Sequence, residues 1–173
     1  MITQTAFNQV FKIMEQSFPV TEYRTYEEQL LLLSDPRYHI LIETDKHGNV
    51  IGFLASWELG SFRYIENIAV SPDIRGGGIG KRLMDRFLSL SDTPVVLEVE
   101  PPENELQQRR IGFYERLGFH LEDHMYMQPP LRTGQTGMLL CIMSYQEPLT
   151  SEQFCLIQRE LYQHVYRVPM YST

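Results

Sequence analysis

Residues 75–82 read Arg-Gly-Gly-Gly-Ile-Gly-Lys-Arg. The run follows an apolar segment, Ile65, Ile68, Ala69 and Val70, which is bounded by Ser71-Pro72 and predicts a strand. It precedes Ile79, Leu83, Phe87 and Leu90 at helical spacing, with Met84 and Leu88 beside them. A glycine near a helix start costs roughly 1 kcal/mol relative to alanine. Arg75, Lys81 and Arg82 also set cations at the end of the helix where anions are preferred. A bound polyanion resolves both conflicts, because glycine amides can converge on phosphate oxygens while the cations neutralise them. The plain alternative is a flexible connector with solvated basic side chains. A Walker A loop is excluded: Arg75 stands at its first position, and Arg82 follows Lys81, so no hydroxyl is available for magnesium. The dinucleotide pattern fails as well, since Lys81 stands where its third glycine is needed.

Other chemistries leave little trace. Cys141 and Cys155 are the only cysteines, and neither sits in a metal-ligand or Cys-x-x-Cys spacing. Two reduced thiols are expected, in keeping with a cytoplasmic protein, and no metal site is expected. The net charge of −7 disfavours nucleic-acid binding, which calls for a basic excess. Positive charge is local instead, at Arg75, Lys81, Arg82 and Arg86. No apolar run approaches the ~20 residues that span a bilayer, and no basic-then-apolar leader opens the chain, so neither a membrane nor a signal peptide is expected.

The elements that must position this turn follow from pattern. Thr3 to Gln16 predicts a helix with Phe7, Val10, Phe11 and Met14 on one face. Thr25-Tyr26-Glu27-Glu28 is a capping box that opens a short second helix. Strands are predicted at 38–44, 50–59 and 62–70, then the helix after the glycine turn to about Leu90, then a strand at 95–100. In that strand Val95, Leu97 and Val99 face one way, and Val96, Glu98 and Glu100 the other. Asn104 with Gln107 caps a helix to Leu117, and Gly118 ends it. Strands at 119–127 and 138–145 follow, and Thr150-Ser151-Glu152-Gln153 caps a last helix carrying Phe154, Ile157, Leu161 and Val165. The 173 residues suit an α+β fold with one mixed central sheet and helices on both faces. The expected division is a main domain over 1–149 and a C-terminal helical extension over 150–173, packed on the domain or at an interface.

Arg75, Gly78 and Gly80 form Arg-x-x-Gly-x-Gly directly after a strand. Phe113-Tyr114-Glu115-Arg116-Leu117-Gly118-Phe119 closes the helix expected to Leu117, and the strand with Leu97-Glu98-Val99 precedes that helix. Together these resemble the GCN5-related N-acetyltransferase (GNAT) superfamily over about residues 37–146. The resemblance implies a splay between two parallel strands, here 62–70 and 95–100, which admits the pantetheine arm of acetyl-coenzyme A (acetyl-CoA), the cosubstrate. It implies that the amides of Gly76, Gly77, Gly78, Gly80 and Lys81, beside Arg75, hold the diphosphate. The backbone of Ile68 and Val70 would take the pantetheine, with the Val70 amide polarising the thioester carbonyl. Tyr114 matches the tyrosine that protonates the departing thiolate, and a packed core tyrosine is the competing reading. Glu66 and Glu98 match positions that often carry a carboxylate, and either could be the general base, Glu100 less so. A salt-bridged or solvated role is the alternative for each. The chain departs from the family at Gln107 and Arg110, where Asn and Ala are frequent, and in the added Pro101-Pro102.

The function implied is direct acetyl transfer to a primary amine of a small molecule or a protein. The acceptor pocket would draw on the first two helices and on His124–Gln128. Homodimers are common in that superfamily. The alternatives from other classes are a non-catalytic acyl-CoA-binding sensor, which would keep the glycine turn and dispense with Tyr114, and a nucleotide-binding protein.

Overall fold

A computed structural model describes residues 2–74 and 77–168. Its elements are α1 (Gln4–Ser17), α2 (Tyr26–Leu32), β1 (Tyr38–Thr44), β2 (Val50–Glu58), β3 (Arg63–Val70), α3 (Ile79–Leu88), β4 (Val95–Val99), α4 (Glu105–Glu115), β5 (Phe119–Gln128), β6 (Met138–Tyr145) and α5 (Ser151–Glu160). A π-helical turn, Leu161–Val165, continues α5. The six strands are ordered β1-β2-β3-β4-β6-β5 in a mixed sheet that includes a parallel pair, the α+β arrangement expected from the sequence. Among the described residues no helix is long and apolar enough to cross a membrane. The chain divides into two units, Met1–Glu58 with Ile65–Asp92 and Leu59–Tyr64 with Thr93–Thr173, so β3 contributes to both.

In the first unit, Phe7, Val10, Phe11 and Met14 of α1 are buried, as their spacing predicts. Phe11 meets Tyr23 and Tyr26 edge-on at 5.9 and 5.1 Å. β1 and β2 form an antiparallel hairpin from Tyr38↔Trp57 to Thr44↔Val50. Asp45 holds its turn by accepting from the amides of His47 and Asn49. Gly52 of β2 decides how closely α3 can lie. A Cβ there would come within 3.1 Å of Ile79 and 3.2 Å of both Leu83 and the Ala69 carbonyl. Glycine thus lets the start of α3 lie close on this strand, where a larger residue would press Ile79 and Leu83 outward by a few tenths of an ångström. α3 ends at Leu88 rather than Leu90, because Ser89 caps it and Leu90 stands 65% exposed, with no burial to reward another turn.

In the second unit, β6 pairs antiparallel with β4 and with β5. The β5 ladder breaks between Leu121 and Met125, where three residues of β5 oppose the single residue Ile142. Such a bulge bends the strand and re-aims its side chains. Glu122, inside it, is buried and accepts from the Ser144 hydroxyl and the Leu149 amide. That ties the bulge to the chain just before α5. Phe154 of α5 then rests on His124 and Tyr126 of β5, at ring separations of 4.9 and 6.3 Å.

Candidate active site

The glycine turn belongs to the first unit. Gly77 and Gly78 have φ of 69° and 64°, and a Cβ on either would meet nothing within 4 Å. This left-handed pair is the geometry for which glycine is the default residue. Gly78 is the N-cap of α3 and offers no side-chain bond, and the first turn carries no acidic residue. Thr3, Thr25, Asn104 and Thr150 by contrast cap α1, α2, α4 and α5 with side-chain oxygens. The first intrahelical bond of α3 runs from the Arg82 amide to the Gly78 carbonyl at 2.9 Å. The amides of Ile79, Gly80 and Lys81 precede it and so have no acceptor within the helix. Arg82 reaches back to the Gly77 carbonyl and pairs with Glu43 at 3.2 Å, while Lys81 pairs with Asp85 at 2.6 Å. Arg75 and Gly76 lie outside the described residues.

Glu66, Ile68 and Val70 alternate on β3 as its partly open face, while Ile65, Asn67 and Ala69 are buried. Glu66 is fully engaged. Its Oε1 pairs with Arg24 at 2.5 Å, and its Oε2 accepts from the Trp57 indole at 2.9 Å. The two charged side chains are only 10% and 5% exposed. Tyr38 lies beside this pair, with its ring 5.1 Å from that of Trp57. Burial, then the Glu66 charge, pushes the Tyr38 hydroxyl well above its usual range.

The second unit holds the other two candidates. Glu98 projects from β4 opposite Ile142 of β6. Its Oε2 accepts from two hydroxyls, those of Tyr64 and Tyr166, each at 2.6 Å, and the two hydroxyl oxygens lie 3.3 Å apart. Tyr166 follows the π-helical turn, and burial together with the Glu98 charge raises its pKa well above 10, keeping it a donor. Tyr114 sits on the buried side of α4, against Phe113 and Phe119 at 5.3 and 5.9 Å. Among the described residues its hydroxyl makes no hydrogen bond, and burial pushes its pKa up to about 12. Glu100 pairs with Arg110 at 3.2 Å, and Arg109 pairs with Glu105 on the exposed face of α4.

Sequence reasoning singled out Glu98 but missed Tyr64 and Tyr166. Tyr64 sits two residues before Glu66 on β3, so its strand position was a usable signal. Tyr166 carried none, because a π-helical turn has no spacing signature. Arg24 and Trp57, the partners of Glu66, were likewise invisible, lying 42 and 9 residues away along the chain.

Comparison with known proteins gives the family of the chain. A family model described as "Acetyltransferase (GNAT) family" matches residues 7–119. A protein of Bacteroides thetaiotaomicron assigned to the GNAT family superposes with a TM-score of 0.85, at 33% identity over 94% of this chain and 93% of its own. The peptidyl-lysine N-acetyltransferase YjaB of Escherichia coli is 28% identical over 102 residues, which are 59% of this chain and 63% of that enzyme. The phosphinothricin acetyltransferase of Sinorhizobium meliloti, solved in complex with acetyl-CoA, shares the fold at a TM-score of 0.59 and 18% identity, over 83% of this chain and 84% of its own. A glycine-capped helix after β3, a glutamate on β4 and a Phe-Tyr-x-x-x-Gly-Phe helix end thus occur in a chain that belongs to the GNAT family of N-acetyltransferases.

Proposed function

We propose that the protein transfers the acetyl group of acetyl-CoA directly to a primary amine. The observation that carries this reading is the start of α3. In a chain of this family, it is the one described α-helix whose N-terminus is left without a side-chain cap, behind two left-handed glycines. The amides of Gly77, Gly78, Gly80 and Lys81, with Arg75 and Gly76 beside them, would take the diphosphate, to which the positive end of the helix also contributes. The backbone of Ile68 and Val70 would take the pantetheine arm. The Val70 amide would stabilise the oxyanion that develops on the thioester carbonyl.

An alkylammonium has a pKa near 10.4, so a base must take its proton before attack. We assign that role to Glu98 rather than Glu66. Protonating Glu66 would discharge half of a buried ion pair, which is strongly unfavourable. Glu98 instead accepts from the hydroxyls of Tyr64 and Tyr166 on Oε2. The amine nitrogen then bonds to the acetyl carbon, the C–S bond breaks, and coenzyme A leaves as a thiolate. Tyr114, at about 12, is fully protonated at neutral pH. Complete transfer to a thiolate whose acid has a pKa near 8.5 is uphill by about 5 kcal/mol, so Tyr114 acts first as a hydrogen-bond donor to the sulfur. As the amide forms, the nitrogen releases a second proton, which ends on the coenzyme A sulfur to give the free thiol, while the first proton passes from Glu98 to solvent. One ammonium and one thioester thus give one amide, one thiol and one proton.

Within the second unit, His124–Gln128 is a segment expected to meet the acceptor, and its Met125 and Met127 are about half exposed. A protein lysine, the substrate class in the name of the Escherichia coli relative, and a small primary amine are the two acceptor classes to screen. The proposed location is the cytoplasm, in keeping with the unlinked Cys141 and Cys155. The test is amine-dependent release of coenzyme A thiol across small amines and lysine peptides. Glu98→Gln is expected to lower turnover about 100-fold, the scale of general-base catalysis, with acetyl-CoA affinity unchanged. Full turnover in that variant would remove Glu98 from the mechanism. Acetyl-CoA binding without thiol release for any amine would favour the sensor reading.

A further inference from the structure

α5 does not end as an ordinary helix. Its last turn widens over Leu161–Val165, and the Tyr166 amide bonds to the Leu161 carbonyl, five residues back, at 2.9 Å. In an unbroken α-helix that amide would bond to Tyr162. Arg167 then takes a left-handed conformation (φ 53°), and the Val168 amide returns to the Tyr162 carbonyl at 3.0 Å, which stops the helix there. Tyr162 pins the same turn to β5 by donating its hydroxyl to the Met127 carbonyl. π-Helical turns are rare, and they recur at functional sites because the inserted residue re-aims the side chains that follow. Here the residue re-aimed is Tyr166, whose hydroxyl meets Glu98.

We propose that Tyr166 is a positioning residue for Glu98: the C-terminal extension delivers a hydroxyl that, with Tyr64, fixes the carboxylate and favours its ionised form. This rests on the assignment of Glu98 as the base. Both phenols donate to Oε2, so the rotation of the carboxylate is set by two bonds from two different elements, β3 and the turn after α5. The titratable groups that face Glu98 include Tyr64 from β3 and Tyr166, and its ladder partner on β6 is the uncharged Ile142. Donors to the charged form of a carboxylate favour it, so the loss of either hydroxyl is expected to make that form less favourable. The extension thereby belongs to the catalytic apparatus.

The test titrates the Glu98 carboxyl carbon by 13C NMR, assigned by its loss in Glu98→Gln, alongside the pH profile of kcat/KM. In Tyr166→Phe the Glu98 pKa should rise by about one unit, the scale of one hydrogen bond to a charged group. The acidic limb of the profile should move with it, kcat should fall about 10-fold, and KM for acetyl-CoA should hold. Tyr64→Phe should move the pKa the same way, and the double variant further. Tyr162→Phe, which frees the turn from β5 but keeps both phenols, should raise the Glu98 pKa by less than Tyr166→Phe does. An unchanged Glu98 pKa in both Tyr166→Phe and the double variant overturns the proposal even if Glu98→Gln is inactive. A raised pKa with full turnover in Glu98→Gln would instead sink the base assignment and leave the positioning geometry standing.

Discussion

Glu66 and Glu98 are both strand glutamates flanked by apolar residues, yet their partners make them different groups. Glu66 is locked to a guanidinium and an indole, whereas Glu98 is held by two phenols. Pattern alone placed both beside the expected strand gap, and only partners distant in sequence separate a structural carboxylate from a usable base. Tyr114 illustrates a third case, a phenol surrounded by apolar rings. Its folded pKa of about 12 exceeds the ordinary 10, so ionisation opposes folding. Its contribution to stability is complete below pH 10 and is lost as the pH climbs through 12. Tyr114→Phe removes that linkage. Between pH 9 and pH 11 the wild-type protein should lose about 1 kcal/mol more unfolding free energy than the variant, by urea denaturation at each pH. Equal losses would mean that the Tyr114 phenol is not buried as described. In turnover at neutral pH the same variant should be slower about 100-fold, the lower end of acid–base effects.

At the scale of elements, the positions legible in advance are those fixed by short-range chemistry. The boxes at Thr25/Glu28, Asn104/Gln107 and Thr150/Gln153 all form with both of their reciprocal bonds. β1 and β6 span the ranges that their apolar runs indicated, because alternation and turn residues act locally. The bulge at Glu122 and the widened turn before Tyr166 escaped notice, since each is stabilised by partners elsewhere in the chain. α3 shows how an omission can be informative. A helix that lacks a side-chain cap, yet follows left-handed glycines, keeps its amides available. Gly78→Ala puts a Cβ into open space, so no clash arises, but the left-handed backbone costs a non-glycine residue roughly 1–2 kcal/mol. The variant should lose about that much stability and bind acetyl-CoA at least 10-fold more weakly, by thermal denaturation and calorimetric titration. Unchanged affinity would separate the turn from cofactor binding.

For the whole molecule, family membership was readable from two short motifs because they encode a turn and a helix end that few folds require together. The acceptor was not readable, since α1, α2 and the β5 bulge carry no motif that names an amine. What holds the functional reading together is that the amides opening α3 grip the diphosphate of acetyl-CoA. Amide NMR of the 15N-labelled protein during titration with coenzyme A observes those groups directly. The signals of Gly77, Gly78, Gly80 and Lys81 should shift together and saturate with the same affinity that calorimetry reports. Saturable binding that leaves all four unmoved, or no binding at all, would contradict it.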